Sequence, residues 1–189
     1  MRVVSGLARG KTLLAVPGDT TRPILDRTKT ALFDTIRPVI TGTKWLDMFA
    51  GSGGVGIEAL SQGALHCVFV DVEPKAVQTI RKNLEATHLS EKAEVRQTDV
   101  FLYLKKTDRQ FDLIYIAPPQ YKGLWIQALQ AIAERPQVAA NGGILIVQID
   151  PSEYEPVELS DFVETETRKY GNTQFVFFQL RDKPQNQGA

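Results

Sequence analysis

The sequence predicts an α/β fold on a mostly parallel sheet, and three observations predict it. From Lys44 onward, strand-length apolar runs alternate with helical patterns, which implies right-handed strand–helix–strand crossovers. The first run, Trp45, Leu46, Met48 and Phe49, breaks into the small-residue loop Ala50 to Gly54, and a helical pattern (Val55, Ile57, Ala59, Leu60) starts directly behind it. Finally, Asp47, Asp71 and Asp99 stand at the C-terminal ends of three successive strands, the edge at which open α/β sheets bind ligands.

Taken in order, Arg2–Ser5 and Thr12–Val16 read as a short β-hairpin around Gly6 and the turn Arg9-Gly10-Lys11. The loop 17–23 holds Arg22 between turn residues, and a helix is expected over Asp26–Ile40 with Ala31, Leu32, Thr35, Ile36 and Val39 on its apolar side. Arg27 and Lys29 fall in its first turns, where cations oppose the helix dipole. Phosphate contact would explain them, against the plainer reading of a solvated face. The helix behind the glycine loop runs to Gln62 and is ended by Gly63. Cys67–Val70 is a second buried strand, Pro74–Thr87 a helix with proline in its first turn, and Ala93–Thr98 a third strand. The fourth, Asp112–Ile116, runs into Ala117-Pro118-Pro119-Gln120-Tyr121, where two prolines stop the ladder and stiffen the backbone ahead of an aromatic ring. A helix over Trp125–Arg135, a turn at Asn141-Gly142-Gly143 and the very apolar strand Ile144–Ile149 follow. Thr165–Tyr170 and Thr173–Gln179 then flank Gly171-Asn172 as an edge hairpin. The chain thus divides into an N-terminal hairpin and helix (1–40), a strand-and-helix domain (41–182) and a disordered polar tail (183–189).

A chain of 189 residues with 43% hydrophobic content can bury one good core and is short for two. Lysine plus arginine and aspartate plus glutamate both number 22, so only the distribution of charge is informative. Basic residues (Arg2, Arg9, Lys11, Arg22, Arg27, Lys29, Arg37, Lys44) outnumber acidic ones over 1–44, whereas 150–166 is acidic without a single basic side chain. Either a polyanion approaches one side or these are two ordinary solvated faces. Cys67, the lone cysteine, reads as a buried small hydrophobe, and His66 and His88 lack a partner at ligand spacing, so no metal is expected. Without a membrane-spanning run or a signal-peptide core, a cytoplasmic monomer is expected.

Two ligands compete for the loop. Gly51-x-Gly53-x-x-Gly56 with Asp71 beyond it matches the dinucleotide fingerprint and would suit a nicotinamide-dependent oxidoreductase. Asp47 argues otherwise. A carboxylate just ahead of the loop repels a pyrophosphate, but would hold the α-amino group of S-adenosylmethionine through charge-assisted hydrogen bonds.

The Asp-Met-Phe-Ala-Gly-Ser-Gly loop, the Pro-Pro-x-Tyr turn and the closing hairpin resemble a class I S-adenosylmethionine-dependent methyltransferase. Arg2-Val3-Val4-Ser5-Gly6, Arg9-Gly10-Lys11, Thr21-Arg22-Pro23, Asp26-Arg27 and Ala31-Leu32-Phe33 narrow the resemblance to the RsmD family, which methylates the exocyclic N2 of a guanine in bacterial 16S ribosomal RNA. It implies a Rossmann-like domain with a seven-stranded sheet whose last strand is antiparallel. It also implies that Asp47, Phe49, Gly51, Ser52 and Gly53 meet the methionine part of the cofactor, Asp71 the ribose and Asp99 the adenine. Arg2, Arg9, Lys11, Arg22 and Arg27 would contact 16S rRNA or the assembling small subunit. The family's catalytic turn reads Asp or Asn, then Pro-Pro-Tyr; here Ala117 holds the first place and Gln120 intervenes before Tyr121. Guanine N2 is a poor nucleophile, so an acceptor at position 117 and the Pro118 carbonyl would take the amine's two hydrogens while Tyr121 stacks on the extruded base. With Ala117 one acceptor is missing, and Gln120 is a candidate replacement. The alternative is a methyltransferase-like RNA-binding protein with little or no catalysis.

Overall fold

The computed structural model describes residues 1–18 and 24–181; Arg22 and the tail 183–189 lie outside the described residues. One seven-stranded sheet runs in the order β3-β2-β1-β4-β5-β7-β6. Its strands are β1 Lys44–Met48, β2 His66–Asp71, β3 Ala93–Gln97, β4 Phe111–Ile116, β5 Ala139–Ile149, β6 Phe162–Tyr170 and β7 Thr173–Leu180. Strands β1 to β5 pair in parallel, and β7 pairs antiparallel with both β5 and β6. Apolar runs such as Cys67–Val70 are buried along their whole length, as a parallel strand must be when helices cover both faces.

Helices α1 (Asp26–Ile36), α2 (Gly54–Ser61) and α3 (Pro74–Thr87) cover one face, where Leu32, Leu60 and Ile80 join Trp45, Phe69 and Tyr115. On the other face α4 (Val100–Lys106) and α5 (Leu124–Ala133) bring Leu104, Trp125 and Leu129 against Leu46, Ile114 and Leu145. None of the described helices is long and apolar enough to cross a membrane. Among the described residues no group of three or more His, Cys, Asp or Glu is arranged to hold a metal ion.

Four expectations change. The helix predicted to Ile40 stops at Ile36 and tightens into a 3-10 turn, Arg37–Val39, because Pro38 has no N–H for the α-helical ladder; Val39 is consequently exposed. The Asn141-Gly142-Gly143 turn is an interruption inside β5: Phe111 pairs with Ala139 and Leu113 with Ile144, so extra residues bulge out between. Helix α4 is an element the sequence pattern did not announce, and Asp99 starts it by accepting the Phe101 and Leu102 N–H groups. Instead of a two-stranded hairpin, the N-terminus makes a single antiparallel bridge, Arg2 to Thr12, with Val3 N–H donating to the Lys11 carbonyl and Gly10 N–H to that of Val3.

That hairpin is reduced because side chains of the helices take the backbone groups that a strand partner would have used. Glu58 on α2 accepts the Val4 and Ser5 N–H groups, each at 2.9 Å. Ser61 receives the Ala8 N–H on its hydroxyl at 2.9 Å and donates to the Ser5 carbonyl at 2.6 Å. Gly6 lies so close to this helix that a Cβ there would sit 1.8 Å from the Ser61 carbonyl oxygen. Asn83 on α3, wholly buried, brackets Leu14 by accepting its N–H and donating to its carbonyl.

Lys29 corrects the phosphate reading most directly. Its ammonium is completely buried, 3.0 Å from the Glu58 carboxylate, and donates to the Arg2 carbonyl at 2.6 Å. The anion that its position called for is supplied from inside the protein. Removing one partner of such a pair leaves an uncompensated buried charge and commonly costs about 3–5 kcal/mol. Lys29→Met is therefore expected to lower the urea-unfolding free energy by about that amount, and adding Glu58→Gln should restore part of it. A loss below about 1 kcal/mol for the single variant would place the pair among ordinary surface contacts.

Candidate active site

The loop after β1 is held in a conformation few residues adopt. Phe49, Gly51 and Gly53 have φ of +58°, +56° and +77°, and Gly53 N–H closes the turn on the Ala50 carbonyl at 2.8 Å. Asp47 lies buried beneath it, its carboxylate accepting the Gly56 N–H at 3.0 Å from the first turn of α2. Gly56 is required there, since a Cβ would come within 2.3 Å of the Phe69 ring. Burial pushes the Asp47 carboxyl up to about 8; the Gly56 hydrogen bond opposes the rise and the charge of Asp71 adds to it.

Asp71, at the end of β2, spends its two oxygens on backbone: Gly51 N–H at 2.8 Å and Glu73 N–H at 2.9 Å. Asp99 is exposed and caps α4 through one oxygen, with both N–H groups at 2.9 Å. The strand order β3-β2-β1 puts these three carboxylates at neighbouring strand ends. Phe49 meets the edge of Phe101 with centroids 6.4 Å apart, and the Ser52 carbonyl is tied to α3 by the Asn83 amide at 2.9 Å.

On the other side of β1, β4 delivers Ala117 to the sheet's rim, half-buried against the α1–α3 core. Gln120 is half-buried in the turn, and Tyr121 follows with a left-handed φ of +61° and is 69% exposed. Glu153 accepts the Tyr121 N–H at 2.7 Å and also takes part in the capping box of the 3-10 turn Pro151–Glu153. The acidic stretch 150–166 therefore begins against this turn. Below it, the Tyr115 hydroxyl donates to the side-chain oxygen of Gln148 on β5. Burial, and then the charge of Asp47, hold the Tyr115 hydroxyl far above its usual range, so it remains a donor.

Of the predicted basic residues, Arg2, Arg9 and Arg27 line one open cleft of about 410 Å³, with Asp26 and Thr30 on its wall. Arg2 pairs with Asp26 at 3.3 Å across it; Lys11 is exposed outside the lining. The residues missed by sequence reasoning, Glu58, Asn83, Gln148 and Glu153, share one signal for all but the last. Each is a polar residue inside a helix or strand, and Glu58 and Gln148 stand between apolar neighbours. Glu153 carries no such mark, for its bond to Tyr121 spans 32 residues of sequence.

The family model described as Conserved hypothetical protein 95 matches residues 1–179. The chain is 38% identical over 184 residues to a Bacillus subtilis protein named "Putative rRNA methyltransferase YlbH", covering 96% of this chain and all of that one. It is 34% identical over 149 residues to the Haemophilus influenzae protein named "Ribosomal RNA small subunit methyltransferase D", covering 77% of each. The solved structure of an Escherichia coli protein described as "Putative methyltransferase yhhF" superposes with a TM-score of 0.85 at 25% identity, covering 97% of this chain and 99% of that one.

The raised Asp47 pKa has a consequence for stability. Between about pH 4 and 8 the folded protein holds a proton on Asp47 that the unfolded chain has released, so stability falls as pH rises through that window and levels off above it. Asp47→Asn keeps an acceptor for Gly56 and removes the ionisation. The variant's advantage in unfolding free energy over the parent should widen from pH 5 to pH 8, by at most about 1.4 kcal/mol per pH unit, and then stay constant. An advantage of the same size at both pH values would mean that Asp47 is ionised throughout.

Proposed function

Because the chain belongs to the family described as Conserved hypothetical protein 95, the RsmD family, we propose that it methylates the exocyclic N2 of a guanine in 16S ribosomal RNA, with S-adenosylmethionine as the methyl donor. The observation that carries the reading is the buried Asp47 carboxylate beneath a glycine loop, next to two further carboxylates on the same rim. A carboxylate pushed up to about 8 by burial and by a like-charged neighbour is a site short of a cation. The donor set fits S-adenosylmethionine, which carries an ammonium and supplies, when bound, an electrophilic methyl on a positively charged sulfur. A dinucleotide's pyrophosphate would meet the same carboxylates with repulsion, which argues against the oxidoreductase reading.

In this reading Asp47 receives the ammonium, the loop Phe49 to Gly53 borders the methionine part, Asp71 adds a ribose hydroxyl to its two backbone bonds, and the second oxygen of Asp99 accepts from the adenine amine. The carbonyl of Pro118 accepts one hydrogen of the guanine amine. Tyr121, exposed and fixed through its backbone by Glu153, stacks on the extruded base. Arg2, Arg9 and Arg27 in the cleft, with Lys11 beside it and Arg22 from the preceding loop, hold phosphates. A methyltransferase-like RNA-binding protein is the second reading, and one observation favours it: the residue directly after β4 is Ala117, a methyl group where an acceptor is wanted.

The decisive experiment is label transfer from S-adenosylmethionine to small ribosomal subunits, or their RNA, from cells lacking the modification, followed by nucleoside analysis. N2-methylguanosine is the expected product; label in another nucleoside, or none in RNA, refutes the assignment. The logarithm of RNA affinity should fall linearly with the logarithm of salt concentration, and neutralising Arg9 or Arg27 to Gln should each flatten that slope by roughly one unit or slightly less. An unchanged slope in both variants would remove the cleft from the RNA interface.

A further inference from the structure

The turn lacks a polar side chain at position 117, yet the sheet brings another to the same place. β4 and β5 run parallel up to Ile116 beside Val147, the last pair of their register, and Ala117 and Gln148 are the residues that follow on the two chains. Their side chains share a face: Ala117 packs on the α1–α3 core, and Gln148 pairs with Phe175, a member of that core. Gln148 is only partly buried, and its amide oxygen is fixed by the Tyr115 hydroxyl, two residues before Ala117 on the same strand face. In an otherwise apolar strand, Ile144–Ile149, a polar side chain at the rim has no packing reason to be there.

We propose that Gln148 is a catalytic residue that supplies the hydrogen-bond acceptor Ala117 cannot, contacting the exocyclic amine of the target guanine together with the Pro118 carbonyl. The assignment rests on the methyltransferase reading above. An amide oxygen has two acceptor sites, and Tyr115 uses one while holding the group in place. Its second site takes a hydrogen from the amine, orienting the nitrogen lone pair toward the methyl. As that lone pair forms the N–CH3 bond, the S–CH3 bond breaks with its electrons left on sulfur. The surplus proton leaves to water, since an amide oxygen is far too weak a base to keep it. Tyr115, which does not reach the base in this arrangement, is a positioning residue.

The test compares Gln148→Met, which keeps length and removes the acceptor, with Gln148→Glu, which keeps it, and adds Ala117→Asn to each background. Methyl transfer to small subunits lacking the modification is measured, alongside S-adenosylhomocysteine and RNA binding by calorimetry and filter retention. Gln148→Met is expected to lower kcat roughly 100-fold with both affinities within about threefold of the parent, and Ala117→Asn to restore most of the loss in that background. Gln148→Glu should keep at least a third of parental kcat. If Gln148→Met also loses S-adenosylhomocysteine binding, the variant has damaged the fold and Gln148→Glu decides: retained kcat supports the assignment and a 100-fold loss overturns it. Parental kcat in Gln148→Met, or an inactive parent made active by Ala117→Asn, overturns the role of Gln148 and leaves the methyltransferase reading standing. Inactivity of the parent and of Ala117→Asn alike fails the methyltransferase reading, and this assignment falls with it.

Discussion

The buried ion pair between Lys29 and Glu58 is the interaction on which the arrangement of the N-terminal forty residues depends. Both side chains are fully excluded from solvent, and each carries hydrogen bonds that satisfy what the pair alone would not: Glu58 accepts from Val4, Ser5 and Gln62, and Lys29 donates to the Arg2 carbonyl. Burying two charges is expensive unless their remaining donors and acceptors are met, so the local chain has little freedom to sit anywhere else. Segment 2–5 is thereby clamped between α1 and α2, and with it the arginines that line the cleft. Since α2 begins at the glycine loop, the element proposed to hold RNA and the loop proposed to hold the methyl donor are attached to one eight-residue helix.

The loop carries a second tension. Asp47 accepts a backbone hydrogen bond from Gly56 and has no cation beside it among the described residues, with Asp71 near enough to raise its pKa further. A structure serving only stability would place an amide or an apolar residue there. Keeping a carboxylate makes the folded protein less stable toward neutral pH and prepares the site for a positively charged ligand, the usual exchange of stability for function at binding sites. Neighbouring bonds show how the strain is contained: Gly51 is held by Asp71, Ser52 by Asn83, and Gly53 by the turn itself.

How much of this was legible depends on whether a feature is local. The strand–loop–helix around Asp47, the helix Pro74–Thr87 and the edge hairpin follow from periodicity, glycine and proline, and all are present. Lys29 was misjudged because its partner is 29 residues away, and nothing within its own helix distinguishes a buried ammonium from a phosphate ligand. The hairpin was overstated for the same reason, as Glu58 and Asn83 compete for backbone groups that a two-strand reading assigns to each other. Helix α4 escaped because Val100-Phe101-Leu102-Tyr103-Leu104 has no helical periodicity of its own; the Asp99 cap and the position after a parallel strand make it a helix. Gln148 was visible as a polar residue in an apolar strand, but its bond to Tyr115 on the neighbouring strand appears only with the fold.

That fold points to how the rim divides its work. Strand order reverses at β1: β2 and β3 lie to one side, β4 and β5 to the other, and ligands of open α/β sheets bind where such a reversal opens a crevice. The carboxylates Asp47, Asp71 and Asp99 occupy the β1–β3 side, suited to a ligand bearing cations and hydroxyls. The β4–β5 side carries the exposed Tyr121 and the partly buried Gln148 amide, the groups proposed above to meet a flat base carrying an amine. In the proposed arrangement a small residue at 117 is matched by an acceptor on the next strand, Gln148, already fixed by the Tyr115 hydroxyl. The same chemistry can therefore be carried by β5 without moving the turn. On this view the departure at Ala117 relocates an acceptor by one strand and does not by itself mark a lost activity.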